Sequence, residues 1–176
     1  MKKVAAIIFI FVISIMFSVP VYAQTAKDIK GWNKAKWGMT ETEIVSVFDG
    51  LVLKDKENPL DQYASLRIPK YSVGGIDFLV RFEMGSDDRL RRVVLVHEGS
   101  IASHFGQFEQ LLTTKYGQAA QKDESKPSWT GYDKTTAWVL PSTKVGLNYT
   151  CTRGMGCALI IKYEDRSLMK DDVDKL

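Results

Sequence analysis

Residues 144–164 read KVGLNYTCTRGMGCALIIKYE, and this stretch decides how the C-terminal half of the chain folds. Two runs of alternating apolar and polar residues flank a short loop that contains glycine, a pattern typical of a β-hairpin. Placing Cys151 opposite Cys157 turns the apolar residues of both strands to one side of the sheet, as the pleat requires. The cross-strand pairs that follow are Tyr149–Leu159, Leu147–Ile161 and Val145–Tyr163.

This pairing predicts a disulfide between Cys151 and Cys157, the only cysteines of the chain. Directly opposed strand residues have the Cα separation that a disulfide tolerates. A redox pair or a metal site is the less favoured alternative, because the spacing is not C-x-x-C and no histidine lies beside it. The bridge would pin loop 152–156, so we predict Arg153 and Met155 as contact residues that bind with little ordering cost.

Two segments outside this hairpin have helical spacing. Thr40 and Glu43 match a capping box, which predicts a helix from Glu41 to about Asp49. Residues 101–116 repeat apolar side chains at steps of three and four, which predicts a second helix. Period-two alternation and turn residues predict strands at 64–68, 76–84, 90–97, 128–132, 135–140, 144–151 and 157–164.

These elements predict an α+β fold in which two amphipathic helices pack on a largely antiparallel sheet. The order helix–strands–helix–strands favours a tandem duplication with halves 37–98 and 99–164. We therefore expect a lead-in segment at 24–36, one domain at 37–164 and a charged tail at 165–176.

The first 23 residues predict export. Lys2 and Lys3 precede a 16-residue apolar run, and Val21-Tyr22-Ala23 resembles a signal-peptidase site, so cleavage is expected after Ala23. The run is shorter than the roughly 20 residues that a spanning helix needs, so no membrane span is expected after cleavage. Removing both lysines lowers the formal charge from +3 to +1, which argues against nucleic acid as a partner. The localisation predicted is periplasmic or secreted.

No motif of catalysis, cofactor binding or metal binding stands out, so we predict no catalytic, cofactor or metal residues and more readily a binding protein than an enzyme. His97, Glu98 and His104 could converge on a metal only if their connection folds back tightly, and a structural role for each is favoured. Aromatic residues on adjoining strands could form a ligand platform, although core packing is the favoured reading of them. They are Trp129, Tyr132 and Trp138.

The segment Gly38-Met39-Thr40-x-x-x-Ile44, with Gly50 closing the helix, resembles the start of two kinds of bacterial envelope domain. These are the SmpA/OmlA outer-membrane assembly lipoproteins and the β-lactamase inhibitor protein-like domains. The resemblance implies a binding or scaffold module with helices laid on antiparallel strands, and it assigns no functional residues.

The function predicted from the sequence is a non-catalytic exported binding or scaffold protein of the bacterial cell envelope. Its partner would be another envelope protein or a small ligand. Two alternatives remain open, an inhibitor of an extracytoplasmic enzyme and a small hydrolase whose site the sequence does not reveal.

Overall fold

The computed structural model describes residues 28–54, 64–125, 128 and 131–167. Within them the chain forms ten strands and two helices of at least a full turn. In chain order these are β1 (Gly31–Trp32), β2 (Ala35–Lys36), α1 (Glu41–Val47), β3 (Leu53–Lys54), β4 (Ala64–Val73), β5 (Ile76–Met84), β6 (Leu90–Glu98), α2 (Ala102–Tyr116), β7 (Gln121–Glu124), β8 (Gly131–Val139), β9 (Thr143–Thr152) and β10 (Gly156–Asp165).

Strands β3 to β10 form one antiparallel sheet with the spatial order β3-β4-β5-β6-β10-β9-β8-β7. Each side of the sheet is a meander of four strands that follow one another in the chain, and every strand is antiparallel to its neighbours. The two meanders meet where β6 pairs with β10, and Leu95 there lies opposite Ile161. Strands β1 and β2 form a separate two-stranded hairpin.

The predicted fold class is wrong. Strands account for 52% of the described residues and helices for 18%, so the fold is mostly β rather than α+β with two helices packed on a sheet. The predicted order helix–strands–helix–strands also fails, because the first element of the described residues is the hairpin β1–β2. Helix α1 ends at Val47, two residues before its predicted end, whereas β4 and β8 extend beyond the predicted strands.

Two of those strands show why the predicted boundaries were too short. The strand predicted at 64–68 continues through Pro69 to Val73, with a register shift between Ile68 and Tyr71, the kind of site where a sheet tolerates proline. The break predicted between strands 128–132 and 135–140 is absent, because β8 runs through Asp133 and Lys134.

One face of the sheet, which we call the inner face, carries the core. Its central row consists of cross-strand partners that are almost fully buried, namely Val80, Leu95, Ile161 and Leu147. Helix α1 is followed by Phe48, whose ring lies 5.4 Å from that of Phe82 on this face. The ring of Phe108 in α2 lies 5.2 Å from that of Phe78, which also belongs to the inner face.

The register predicted for the C-terminal hairpin is confirmed. Cys151 lies opposite Cys157, and the three apolar pairs expected above them are the observed partners. The two cysteines are bonded through sulfur with their Cα atoms 4.0 Å apart. The bridge closes the tip of the β9–β10 hairpin.

Some predictions lie outside the described residues. They are the signal peptide at 1–23 with its cleavage site, the first residues of the lead-in, Trp129, and the tail beyond residue 167. In the described part of the chain, no helix has the length and apolar character needed to cross a membrane. Asp165, expected to begin the tail, is the buried last residue of β10 and pairs with Arg91.

Candidate functional site

A cavity of about 700 Å³ lies on the inner face beneath the hairpin β1–β2, and we call it the hairpin cavity. The hairpin forms its roof and α2 forms one wall. The turn after β4 forms a second wall, at Val73 and Gly74, and Leu95 and Ile161 form the floor. The volume falls within the roughly 300–1,000 Å³ that small-molecule sites occupy, so one drug-sized molecule fits.

The roof exists because Gly31 allows the two short strands to approach closely. Its φ is +150°, and a Cβ atom built there would lie only 2.0 Å from the carbonyl oxygen of Ala35. The turn between the strands uses Asn33, whose φ of 54° is in the left-handed region that asparagine tolerates. Gly31 and Asn33 therefore define the shape of the roof.

Hydrogen bonds at both ends fasten the segment around the hairpin, residues 28–39, which we call the roof segment. At its start the Asp28 carboxylate accepts hydrogen bonds from the backbone N–H and the hydroxyl of Ser142, at 2.8 and 2.7 Å. At its end Met39 and Gly38 exchange backbone hydrogen bonds with Leu90 at the start of β6. The roof is thus held at both ends by strands of the main sheet.

Hydrogen bonding to Ser142, chiefly to its hydroxyl, lowers the pKa of Asp28 below its ordinary value of 3.8. The carboxylate therefore stays ionised at neutral pH. The charged form is the better acceptor for the two Ser142 donors.

The walls of the hairpin cavity are mainly apolar and aromatic. Trp32 extends from the roof into the core, where its ring lies 5.0 Å from Tyr71 and 6.0 Å from Phe48. On the opposite wall, Leu112 is buried and Leu111 is half exposed at the opening. Gln107 fixes this wall, because its Nε2 donates to the Gly74 carbonyl at 2.8 Å.

Three tyrosine residues belong to this lining, and the hydroxyl group of each has a hydrogen-bond partner. Tyr71 Oη accepts a hydrogen bond from Asn33 Nδ2 at 2.8 Å. Tyr116 Oη and Tyr163 Oη lie 3.5 Å apart, although both side chains are at least 95% buried. Burial is the main cause that raises the pKa of Tyr163 well above its ordinary value, so its hydroxyl stays a proton donor at neutral pH.

The charged residues that line the cavity, among those the structure describes, are all basic. Lys30, Lys36 and Lys115 line it with exposed side chains, and no Asp or Glu is among the described residues that line it. In the described part of the chain, none of these three amines lies within 4.0 Å of a carboxylate. Lys115 Nζ lies 5.2 Å from the Tyr116 ring centre.

The predicted contact residues are elsewhere. Arg153 and Met155 lie on the disulfide-closed loop, and Met155 is 85% exposed. A shallow depression beside the bridge is lined by Arg153 and Tyr132, whereas none of the predicted site residues lines the hairpin cavity.

The two histidines are neighbours, with ring centres 5.6 Å apart, but each ring is engaged locally. His97 Nδ1 lies 2.9 Å from the Asp77 carbonyl oxygen. His104 Nδ1 accepts from the Ile101 backbone N–H at 3.4 Å, at the start of α2. Among the described residues, no group of three potential ligands is arranged to hold a metal.

Trp138, one of the aromatic residues considered for a ligand platform, is buried in the core. Its indole Nε1 donates to the Gly117 carbonyl at 3.0 Å. Tyr132 is only partly buried and lies 6.4 Å from Tyr149, centre to centre. Trp138 and Tyr132 therefore do not share an exposed surface.

Sequence reasoning missed the hairpin cavity because its residues come from distant parts of the chain. The available signal was Gly31-Trp32-Asn33, a tryptophan between two turn-forming residues within an otherwise polar segment.

Comparison with protein-family models, with curated proteins and with solved structures finds no match.

Proposed function

We propose that this chain is an exported, non-catalytic binding protein of the bacterial envelope and that the hairpin cavity holds a small apolar ligand. The observation that carries the proposal is a cavity of about 700 Å³ whose walls are mainly apolar and include three tyrosine residues. This combination is the usual form of a small-molecule site, in which apolar surface supplies affinity and a few polar groups fix orientation.

The disulfide supports the exported part of the proposal, since such bonds persist in oxidising compartments. Periplasmic or secreted localisation follows if the signal peptide is cleaved. Cell fractionation should recover a mature protein whose mass corresponds to a chain that begins at Gln24. Recovery of full-length chain in the cytoplasm would contradict export.

Binding can be tested with N-phenyl-1-naphthylamine, a neutral apolar dye that fluoresces when it leaves water. We expect saturable binding of one dye per chain to the purified mature protein. Leu111→Trp adds bulk at the opening of the cavity and should weaken dye binding by about tenfold, equivalent to roughly 1.4 kcal/mol. Val139→Trp is the matched control, because Val139 is similarly exposed but does not line the cavity.

Thermal unfolding should first establish that both variants are folded. Absence of saturable dye binding by the unmodified protein would refute the proposal. Equal weakening by Leu111→Trp and Val139→Trp would show that the dye binds elsewhere.

A second candidate function uses the loop 152–156 as an inhibitory contact for an extracytoplasmic enzyme. Met155 is a large apolar side chain left 85% exposed on a loop that the disulfide closes, which is favourable for recognition at low entropic cost. Assays of envelope proteases and β-lactamases with added protein test this function. Inhibition that is lost in both Arg153→Ala and Met155→Ala would support it, and no inhibition of any enzyme would exclude it for the enzymes assayed.

A further inference from the structure

We infer that the ligand of the hairpin cavity is a single-chain amphiphile with an anionic head group, an inference that rests on the proposed function. The apolar tail would lie inside the cavity, and the head would lie at the opening between the roof and α2. Lys36 on the roof strand β2 and Lys115 on α2 border the cavity from these two sides.

Three lysines give the lining of the cavity a positive charge. The described residues that line the cavity include no carboxylate to balance these amines. The ionised Asp28 interacts with Lys30 and offsets part of its charge, which leaves Lys36 and Lys115 as the amines expected to attract an anion. An anionic head is therefore attracted, and a cationic head is repelled.

The hydroxyl groups of Tyr116 and Tyr163 can supply a hydrogen-bond donor to a ligand. Each hydroxyl has one proton to donate, and the Tyr116–Tyr163 contact uses only one of the two. The second proton can be donated to an oxygen of the ligand inside the cavity. A purely hydrocarbon ligand would use neither this donor nor the lysines.

The volume of the cavity limits the number of acyl chains that the ligand can have. A volume of about 700 Å³ suits one drug-sized molecule and is too small for a lipid with two long acyl chains and a large head. The expected ligand is thus a fatty acid or another single-chain molecule whose head bears a negative charge. Carboxylate and phosphate heads share this chemistry, and the experiment separates them.

The test compares twelve-carbon ligands that differ only in their heads, each used to displace N-phenyl-1-naphthylamine from the full mature protein. The ligands are dodecanoate, dodecyl phosphate, dodecanol and dodecyltrimethylammonium. We expect at least one anionic ligand to bind about tenfold more tightly than dodecanol, and the cation to bind most weakly. Whichever anion binds more tightly identifies the head group.

Variants test the role of the lysines. In the double variant Lys36→Gln/Lys115→Gln, the ratio of anion affinity to dodecanol affinity should fall about tenfold, because both ligands share the tail and only the anion uses the amines. Lys34→Gln is the matched control, because Lys34 is exposed on the same hairpin but does not line the cavity. Added salt should weaken anion binding and leave dye binding unchanged.

The outcomes separate the two proposals. If the dye does not bind, the proposed function fails. If the dye binds but neither anion binds better than dodecanol, or if the ratio of anion affinity to dodecanol affinity is the same in the lysine double variant as in the unmodified protein, only the present inference is overturned.

Discussion

The indole Nε1 of Trp37 donates a hydrogen bond to Oγ1 of Thr143 at 2.8 Å, and 106 positions of the chain separate the two residues. Thr143 is fully buried, and its hydroxyl in turn donates to the carbonyl oxygen of Ile29. The Thr143 hydroxyl therefore links Ile29, before the hairpin, and Trp37, after it, to the start of β9. The Thr143 side chain thus adds to the hydrogen bonds that hold the roof segment at Ser142 and Leu90.

Replacing Thr143 with valine should destabilise the protein by about 1–3 kcal/mol, because the Trp37 N–H and the Ile29 carbonyl would each lose a buried partner. Urea unfolding of the purified variant measures this loss. The same substitution at Thr150, a partly buried position of the same strand with no side-chain hydrogen bond described, should change stability much less. Equal effects at Thr143 and Thr150 would contradict the role assigned to the Thr143 hydroxyl.

Gly31→Ala should destabilise the roof by about 1–3 kcal/mol, since the new Cβ would collide with the Ala35 carbonyl and φ is positive. Dye binding in the hairpin cavity should weaken in parallel. Gly106→Ala is a control of opposite sign: Gly106 lies within α2 and has open space around it, so alanine should stabilise the helix by about 1 kcal/mol. Thermal unfolding distinguishes these outcomes, and a stable, dye-binding Gly31→Ala protein would show that the close approach is unnecessary.

Replacing Cys151 and Cys157 together with alanine should lower the free energy of unfolding by about 2 kcal/mol, as expected when a small ring no longer restricts the unfolded chain. The sheet register should persist, because the apolar pairs beside the bridge remain. Chemical denaturation with and without reductant provides the measurement. Reductant should destabilise the unmodified protein to the level of the variant and leave the variant unaffected, and a reductant effect on the variant would contradict the assignment.

Acid should weaken the attachment of the roof at Asp28. Its pKa is lowered in the folded protein, chiefly by the Ser142 hydroxyl, so its contribution to stability is present above pH 3.8 and is lost as the pH falls through the lower folded value. Asp28→Asn should therefore reduce the difference in urea stability between pH 7 and a pH below 3. Ser142→Ala should reduce the same difference only in part, because the backbone N–H of residue 142 still donates. An unchanged pH difference in Asp28→Asn would exclude this role for the carboxylate.

Local patterns predicted some elements closely. The capping box of Thr40 and Glu43 is present in the structure, with the Thr40 N–H donating to the Glu43 carboxylate at 2.8 Å. The predicted register around Cys151 and Cys157 is also confirmed. It could be predicted because a shift of one residue would turn each apolar residue of those strands to the wrong face. In both cases the residues that decide the structure are close together in sequence.

The roof could not be predicted in the same way. Trp32 stands alone among polar neighbours in sequence, and its burial depends on contacts with Phe48, Tyr71 and Phe82, which come from later elements. Lys134 shows a related difficulty. The sequence predicts a break between strands at Asp133 and Lys134, but Lys134 lies within β8, where its amine is near the rings of Phe105 and Tyr132 and forms an ion pair with Glu124.

The attachment of Asp28 and Ile29 to partners 114 positions later also constrains the order of folding. Because a polypeptide is synthesised from its amino end, the roof strands are made long before the strand that secures them. Closure of the cavity is therefore a late event that must wait for nearly the whole chain. A molecule that fills the cavity binds only the completed fold, so it would favour the final step of folding and leave earlier folding intermediates unaffected.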